Sequence, residues 1–247
     1  EVKEFNEDEY EKVVSEAVET NSLPTLFYSK DVNEMYSEYA ENISDINFDA
    51  KLLFEDDVKS CIKNKNAFPM GFDMYVVYVN TDMSDKKIDI EKIIEDNSNY
   101  DLDKFNNEES AFYVGSTENY YEILQNTKIA KYVKIYDTEN DFLYFTDYWY
   151  VNKQASSDEI ICAKAILSYL IEENCQRLFF TVDSTRLSDS IPLNKNIFDT
   201  NYYKNGVSDK MKFIGEIDKK DDKVLSLSVN HNNRETDIQD IFKKKFR

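Results

Sequence analysis

Three short stretches combine aromatic rings with polar tips: Phe72 and Asp73 in "FPMGFDMYVVYVN" (68–80), Ser116 to Tyr121 in "GSTENYY", and Asp147 to Trp149 in "FTDYWYV". An aromatic face stacks on the C–H surface of a sugar ring while a neighbouring carboxylate accepts hydrogen bonds from its hydroxyls. The chemistry open to these residues is therefore the capture of a small polar ligand. Pro69 and Gly71 read as a turn that presents Phe72 and Asp73. Inside strand-like runs, Tyr75, Tyr78, Phe112 and Tyr144 read instead as core or sheet-face residues.

Bond-making chemistry is not indicated. The sequence has no GxSxG, no glycine-rich phosphate loop and no HExxH, and its single histidine, His231, sits in the polar stretch "VNHNNRE" and reads as solvated. Carboxylate pairs carry little information among 49 acidic residues, whose default place is the surface. Asp101 and Asp103 in "YDLDKFNNEES" begin like a calcium loop but lack its turn glycine and terminal glutamate. Cys61, Cys162 and Cys175 form an odd set without CxxC spacing, so neither a disulfide framework nor a zinc site is expected. No metal or other cofactor is implied.

With 41% hydrophobic residues over 247 positions, the chain can bury a sizeable core as one large domain or two small lobes. A net charge of −19 repels phosphate backbones and anionic membrane surfaces, which excludes nucleic acid as a partner class. The 18 tyrosines point to rings that pack while their hydroxyls stay wet. No stretch approaches the roughly 20 apolar residues of a membrane span.

The elements that must position these residues follow from periodicity. Asn6 with Glu9 reads as a helix start, and Tyr10, Val13, Val14, Ala17 and Val18 line one helical face that ends before Pro24. A strand is expected from Thr25 to Tyr28, with further helix over 32–41 and 56–63. Met74 to Val79 forms the next strand, and "IDIEKIIEDN" a short helix. "SAFYV" (110–114) reads as a strand closed by Gly115, with Ser116 or Thr117 capping the helix "STENYYEIL". "YVKIY" and "FLYFTDYWYV" are rich in strand formers. Ser156 with Glu159 predicts a capping box for a helix lined by Ile160, Ala163, Leu167, Leu170 and Ile171. "TDIQDIFKKKF" closes the chain as a helix with basic residues in its last turn. Strands separated by helices imply an α/β fold.

In this order the pieces resemble the extracellular solute-binding proteins of ABC importers, above all the carbohydrate-binding, maltose-binding-like group. "EYEKVVSEAVETNSLPTLFYSKD" resembles that family's helix followed by a Pro-bearing strand segment, with Thr25 where an Asp is usual. "AFPMGFDMYVVYVNTDM" is similar to its first crossing between lobes, and "NNEESAFYVGSTENY" to its strand with a following glycine. "YWYVNKQASSDEIICAKAILSYLIEENCQRLFF" resembles its strand, Ser-rich cap and long helix, and "IPLNKNIF" its return crossing. Two departures stand out. The family's first strand and helix have no counterpart ahead of "EVKEF", and the segment between "VYVNTDM" and "AFYVGS" is short, which pares down the second lobe.

The resemblance implies a two-lobed periplasmic-binding-protein-like α/β fold, with residues 1–72 and 145–190 in lobe 1 and 73–144 and 191–247 in lobe 2. It implies a ligand cleft between the lobes, bordered by Phe72, Asp73, Tyr75, Ser116, Tyr120, Tyr148 and Trp149, with Tyr28 and Asp31 as weaker additions. The expected role is a monomeric extracellular receptor that captures a small solute, a sugar or oligosaccharide, and hands it to the membrane permease without chemistry. Its anchor to the cell surface would lie in a segment not present in this chain. The alternative is a non-transport interaction domain on the same fold, its acidic surface meeting a basic protein.

Overall fold

A computed structural model describes residues 7–84, 87–138, 142–180, 190–199, 224–228 and 233–246. Asn6 and His231 lie outside them. Helix α1 (Glu7–Glu19) buries Val14 and Val18, and the Tyr10 hydroxyl accepts from the Tyr28 backbone N–H at 2.7 Å, tying the helix to strand β1 (Leu26–Ser29). Helices α2 (Glu34–Tyr39) and α3 (Glu55–Lys65) follow, the latter with three acidic residues in its first turn and two lysines in its last, which complement the helix dipole.

Strand β2 (Phe68–Asn80) runs unbroken for 13 residues, all of them buried. The turn expected at Pro69 and Gly71 is thus corrected. The run is apolar on both faces, as in a central strand covered on both sides. Pro69, without an N–H to give, lies near the strand's beginning, before the two positions at which β6 (Ile191–Pro192) pairs with it, Gly71 and Phe72.

The partners of β2 change half-way along. Phe68 to Met74 pair with β5 (Leu143–Val151), which on its other side pairs with β1. Tyr75 to Asn80 pair with β3 (Phe112–Ser116) and β4 (Val133–Asp137). All these ladders are antiparallel. Alternation along the second half of β2 feeds two cores: Val76 and Tyr78 face the larger one, and Tyr75, Val77 and Val79 the smaller.

Short helices α4 (Ile90–Glu95) and α5 (Leu102–Asn106) link β2 to β3. Asp101 is the N-cap of α5, accepting from the Lys104 N–H at 3.0 Å, which is the work its side chain does in the stretch that begins like a calcium loop. Ser116 caps a 3-10 turn (Thr117–Asn119) that leads into α6 (Tyr120–Gln125). Helix α7 (Ser157–Leu170) carries the expected capping box and buries Ala163 and Leu167. After α8 (Glu173–Gln176), residues 191–195 pack on the first half of β2 and on 51–53. The last helix, α9 (Arg234–Lys245), docks on the second sheet through Phe242, stacked on Tyr75 at 4.5 Å between centroids. Among the described residues no helix is long and apolar enough to cross a membrane.

Candidate functional site

Where the partners of β2 change, the ends of several elements converge on a cleft of about 630 Å³. Lys30 enters from the end of β1, Tyr75 from β2 and Tyr144 from β5. Ser116, Glu118 and Asn119 come from the β3–α6 junction, Tyr121, Glu122 and Gln125 from α6, and Arg234, Glu235 and Ile238 from α9. Junctions between strand ends and helix starts expose backbone and polar side chains together, so clefts form there.

Charge at the cleft is organised around Glu118. Its Oε1 lies 2.9 Å from Lys30 Nζ and its Oε2 2.7 Å from Arg234 Nη1, while Arg234 Nε donates to Asp31. Desolvation pushes the Glu118 carboxyl upward, but the two cations outweigh it and hold the group at about 2. Lys30 is likewise pulled down by burial and raised further by Glu118 and Asp147, so it stays charged. Asp31 goes the other way: burial raises its carboxyl despite Arg234.

Beneath this layer, Asp73 is fully buried and accepts from the Thr117 hydroxyl at 2.7 Å. Burial, with Glu118 nearby, raises its carboxyl well above the usual range, which favours the neutral acid. Asp147 sits in the left-handed region (φ 60°), opposite Met70 where the β2–β5 register skips. Its backbone N–H donates to the Lys30 carbonyl, and its carboxylate accepts from the hydroxyls of Tyr28 (2.6 Å) and Ser190 (2.7 Å). The Ser116 and Tyr144 hydroxyls bond each other at 2.7 Å on the cleft wall.

The site residues expected from the sequence divide into groups. Tyr75 and Ser116 line the cleft. Asp31, Asp73 and Tyr28 lie behind it, reached through Arg234, Thr117 and Asp147. Trp149 is half-buried, tilted against Tyr28 at 5.7 Å, and Tyr120 packs on the larger core. Phe72 and Tyr148 are corrections. Phe72 is fully buried edge-on to Phe54 at 5.3 Å, and Tyr148 is fully buried with its hydroxyl donating to the Phe145 carbonyl. Once 68–73 is strand and not turn, both rings fall inside the core. Tyr144 is a core residue of β5, as expected, and also borders the cleft. Glu118 falls within the Ser116–Tyr121 stretch singled out from the sequence, while Lys30 and Arg234 had no signal of their own there.

No family model and no curated protein sequence matches the chain. Solved structures do match. Similar to it are the GacH receptor of Streptomyces glaucescens, solved unliganded and with acarbose (9% identity, 98% of this chain, 83% of that one, TM-score 0.66), and an ABC substrate-binding protein of Listeria monocytogenes in complex with cycloalternan (11%, 99%, 85%, 0.66). Maltose-bound MalE3 of T. maritima matches at 13% identity over 97% of this chain and 82% of that one, with a TM-score of 0.62. The chain has the two-lobed periplasmic-binding-protein fold. At these identities the likeness fixes that fold and nothing finer. The cleft lies beside the change of partners along β2.

Proposed function

We propose that this chain is a solute receptor: it captures a small polar solute, a sugar or oligosaccharide, in the cleft beside the β2 crossing and delivers it to the permease of an ABC importer without chemical change. One observation carries this reading. The cleft is lined by the tyrosines Tyr75, Tyr121 and Tyr144 together with charged and amide side chains, among them Lys30, Glu118, Arg234, Asn119 and Gln125. Rings that cover apolar C–H surface, beside donors and acceptors that take hydroxyls, suit a saccharide. The sugar complexes named for the similar structures support the same class. The receptor works outside the cell as a monomer, with lobes that meet at Asp73–Tyr75 of β2 and at the start of β5.

The test is thermal unfolding against mono- and oligosaccharides, amino acids, peptides and polyamines. A solute at 100 times its Kd stabilises by about 2.7 kcal/mol. The expected outcome is a shift with saccharides that Tyr121→Ala diminishes; a shift confined to peptides or polyamines contradicts the saccharide class.

A further inference from the structure

The charges that line the cleft do not balance. Lys30 and Arg234 stand against Glu118, Glu122 and Glu235. Both cations are already matched, Lys30 by Glu118 and Arg234 by Glu118 and by Asp31 behind the wall. No cation remains for Glu122 on α6 or Glu235 on α9, and neither has an ion-pair partner among the described residues. Each spends one carboxylate oxygen on a neutral donor: Glu122 accepts from the Asn106 amide at 2.8 Å and Glu235 from the Tyr113 hydroxyl at 3.4 Å. A cleft lined by one sign of uncompensated charge concentrates its field on whatever enters, and the net charge of −19 on the chain adds to the same sign.

A second observation points to the group that fills this site. Tyr75 lines the cleft with its ring stacked on Phe242, and the side chain is only 2% exposed, yet its hydroxyl has no hydrogen-bond partner among the described residues. The Tyr144 hydroxyl, by contrast, is bonded to Ser116 and Glu118. A shielded hydroxyl left without a partner is costly, so a bound group that completes it gains affinity. Burial first, then the Glu235 and Glu118 carboxylates, push the Tyr75 hydroxyl up, which keeps it neutral with lone pairs to offer. An ammonium group has three donors and no acceptor, the complement of a neutral hydroxyl among carboxylates. We propose that the cleft selects a saccharide carrying a protonated amine, with the Tyr75 hydroxyl and the Glu235 carboxylate as its acceptors and Glu122 as a second anion on the wall. The proposal rests on the saccharide-receptor reading and adds the charge of the solute. A neutral sugar covers the same rings but leaves both carboxylates unpaired, and an acidic sugar is repelled.

The experiment titrates the full chain calorimetrically with the trimer of glucosamine, its N-acetylated form, cellotriose, maltotriose and a diamine without a sugar ring. The pH is about 6, above the carboxyl range and below that of an amine. The glucosamine trimer is expected to bind about tenfold or more tighter than its N-acetylated form and cellotriose, the scale of one added charge-assisted hydrogen bond. Glu235→Gln should shrink that ratio, and so should Tyr75→Phe, which keeps the ring and its stack on Phe242. Glu122→Gln, on a different helix, serves the same purpose if Glu235→Gln folds poorly. Neutral trimers that bind as tightly as the amine, or a ratio that survives Glu235→Gln and Glu122→Gln in folded protein, overturn the proposal and leave the receptor reading standing. A diamine that binds as tightly as the glucosamine trimer removes the saccharide class, and the proposal with it, while the anionic site remains. Silence from every compound removes both.

Discussion

Glu118 and Asp73 titrate in opposite senses because one has cations and the other has none in contact. Glu118 keeps its proton off down to about 2 against an ordinary 4.5. Its contribution to stability is present in full above the ordinary value and is lost as pH falls through the folded one; a shift of this size corresponds to about 3 kcal/mol. Glu118→Gln should lower the denaturation midpoint at pH 7 and make the loss of stability between about pH 4.5 and 2 shallower, since Asp45, Asp89, Asp96, Asp101 and Glu159 are also held below their ordinary values. Asp73 behaves inversely. Its folded carboxyl binds a proton at pH values where the unfolded one has released it, so stability falls as pH rises above the ordinary range. Asp73→Asn, close to the neutral acid in shape, should flatten that fall, with melting at pH 8 no lower than in the parent protein. Ser116 stood out in the sequence because it follows a strongly patterned strand and caps the next turn, whereas Asp73 and Tyr75 lie in the middle of β2 and not at the turn expected there. Arg234 did not stand out: its partner Asp31 is 203 residues away, and a lone arginine in a polar stretch of an acidic chain reads as solvated.

At the scale of elements, the helices and most strands could be read from periodicity and caps. The capping box of Ser156 and Glu159 starts α7 as expected, and Ser116 caps the turn before α6. The misreading at Pro69 and Gly71 has a physical source: punctuation residues signal turns only where the chain is free to leave the sheet, and here Met70 and Phe72 are buried and Gly71 is paired on both sides. Gly115 carries a different constraint. A Cβ there would lie 2.3 Å from the Tyr113 ring, which is itself stacked on Tyr78 at 5.6 Å and cannot easily move. Gly115→Ala is expected to cost about 1–3 kcal/mol in urea unfolding. Helix α9 depends on Phe242, buried against Tyr75 and Phe142; Phe242→Ala should cost about 3–5 kcal/mol. Loss of α9 docking would also withdraw Arg234, so that variant should lose solute stabilisation together with fold stability.

Across the whole molecule, one long strand with two sets of partners organises everything else. Its first half belongs to the sheet with β1, β5 and β6, its second to the sheet with β3 and β4, and the cleft lies beside the change. The sequence carried the order of elements but not this sharing, because a strand buried on both faces shows no alternation that would tell one partner set from another. The central claim is that the cleft binds a saccharide. Isothermal titration of maltotriose and a series of neutral oligosaccharides into the full chain, beside Tyr121→Ala and Gln125→Ala, tests it most directly. One site per chain, weakened about tenfold or more in the variants, roughly 1.4 kcal/mol each, is the predicted result. No binding across the series by a folded protein, or binding that both variants leave untouched, would contradict it.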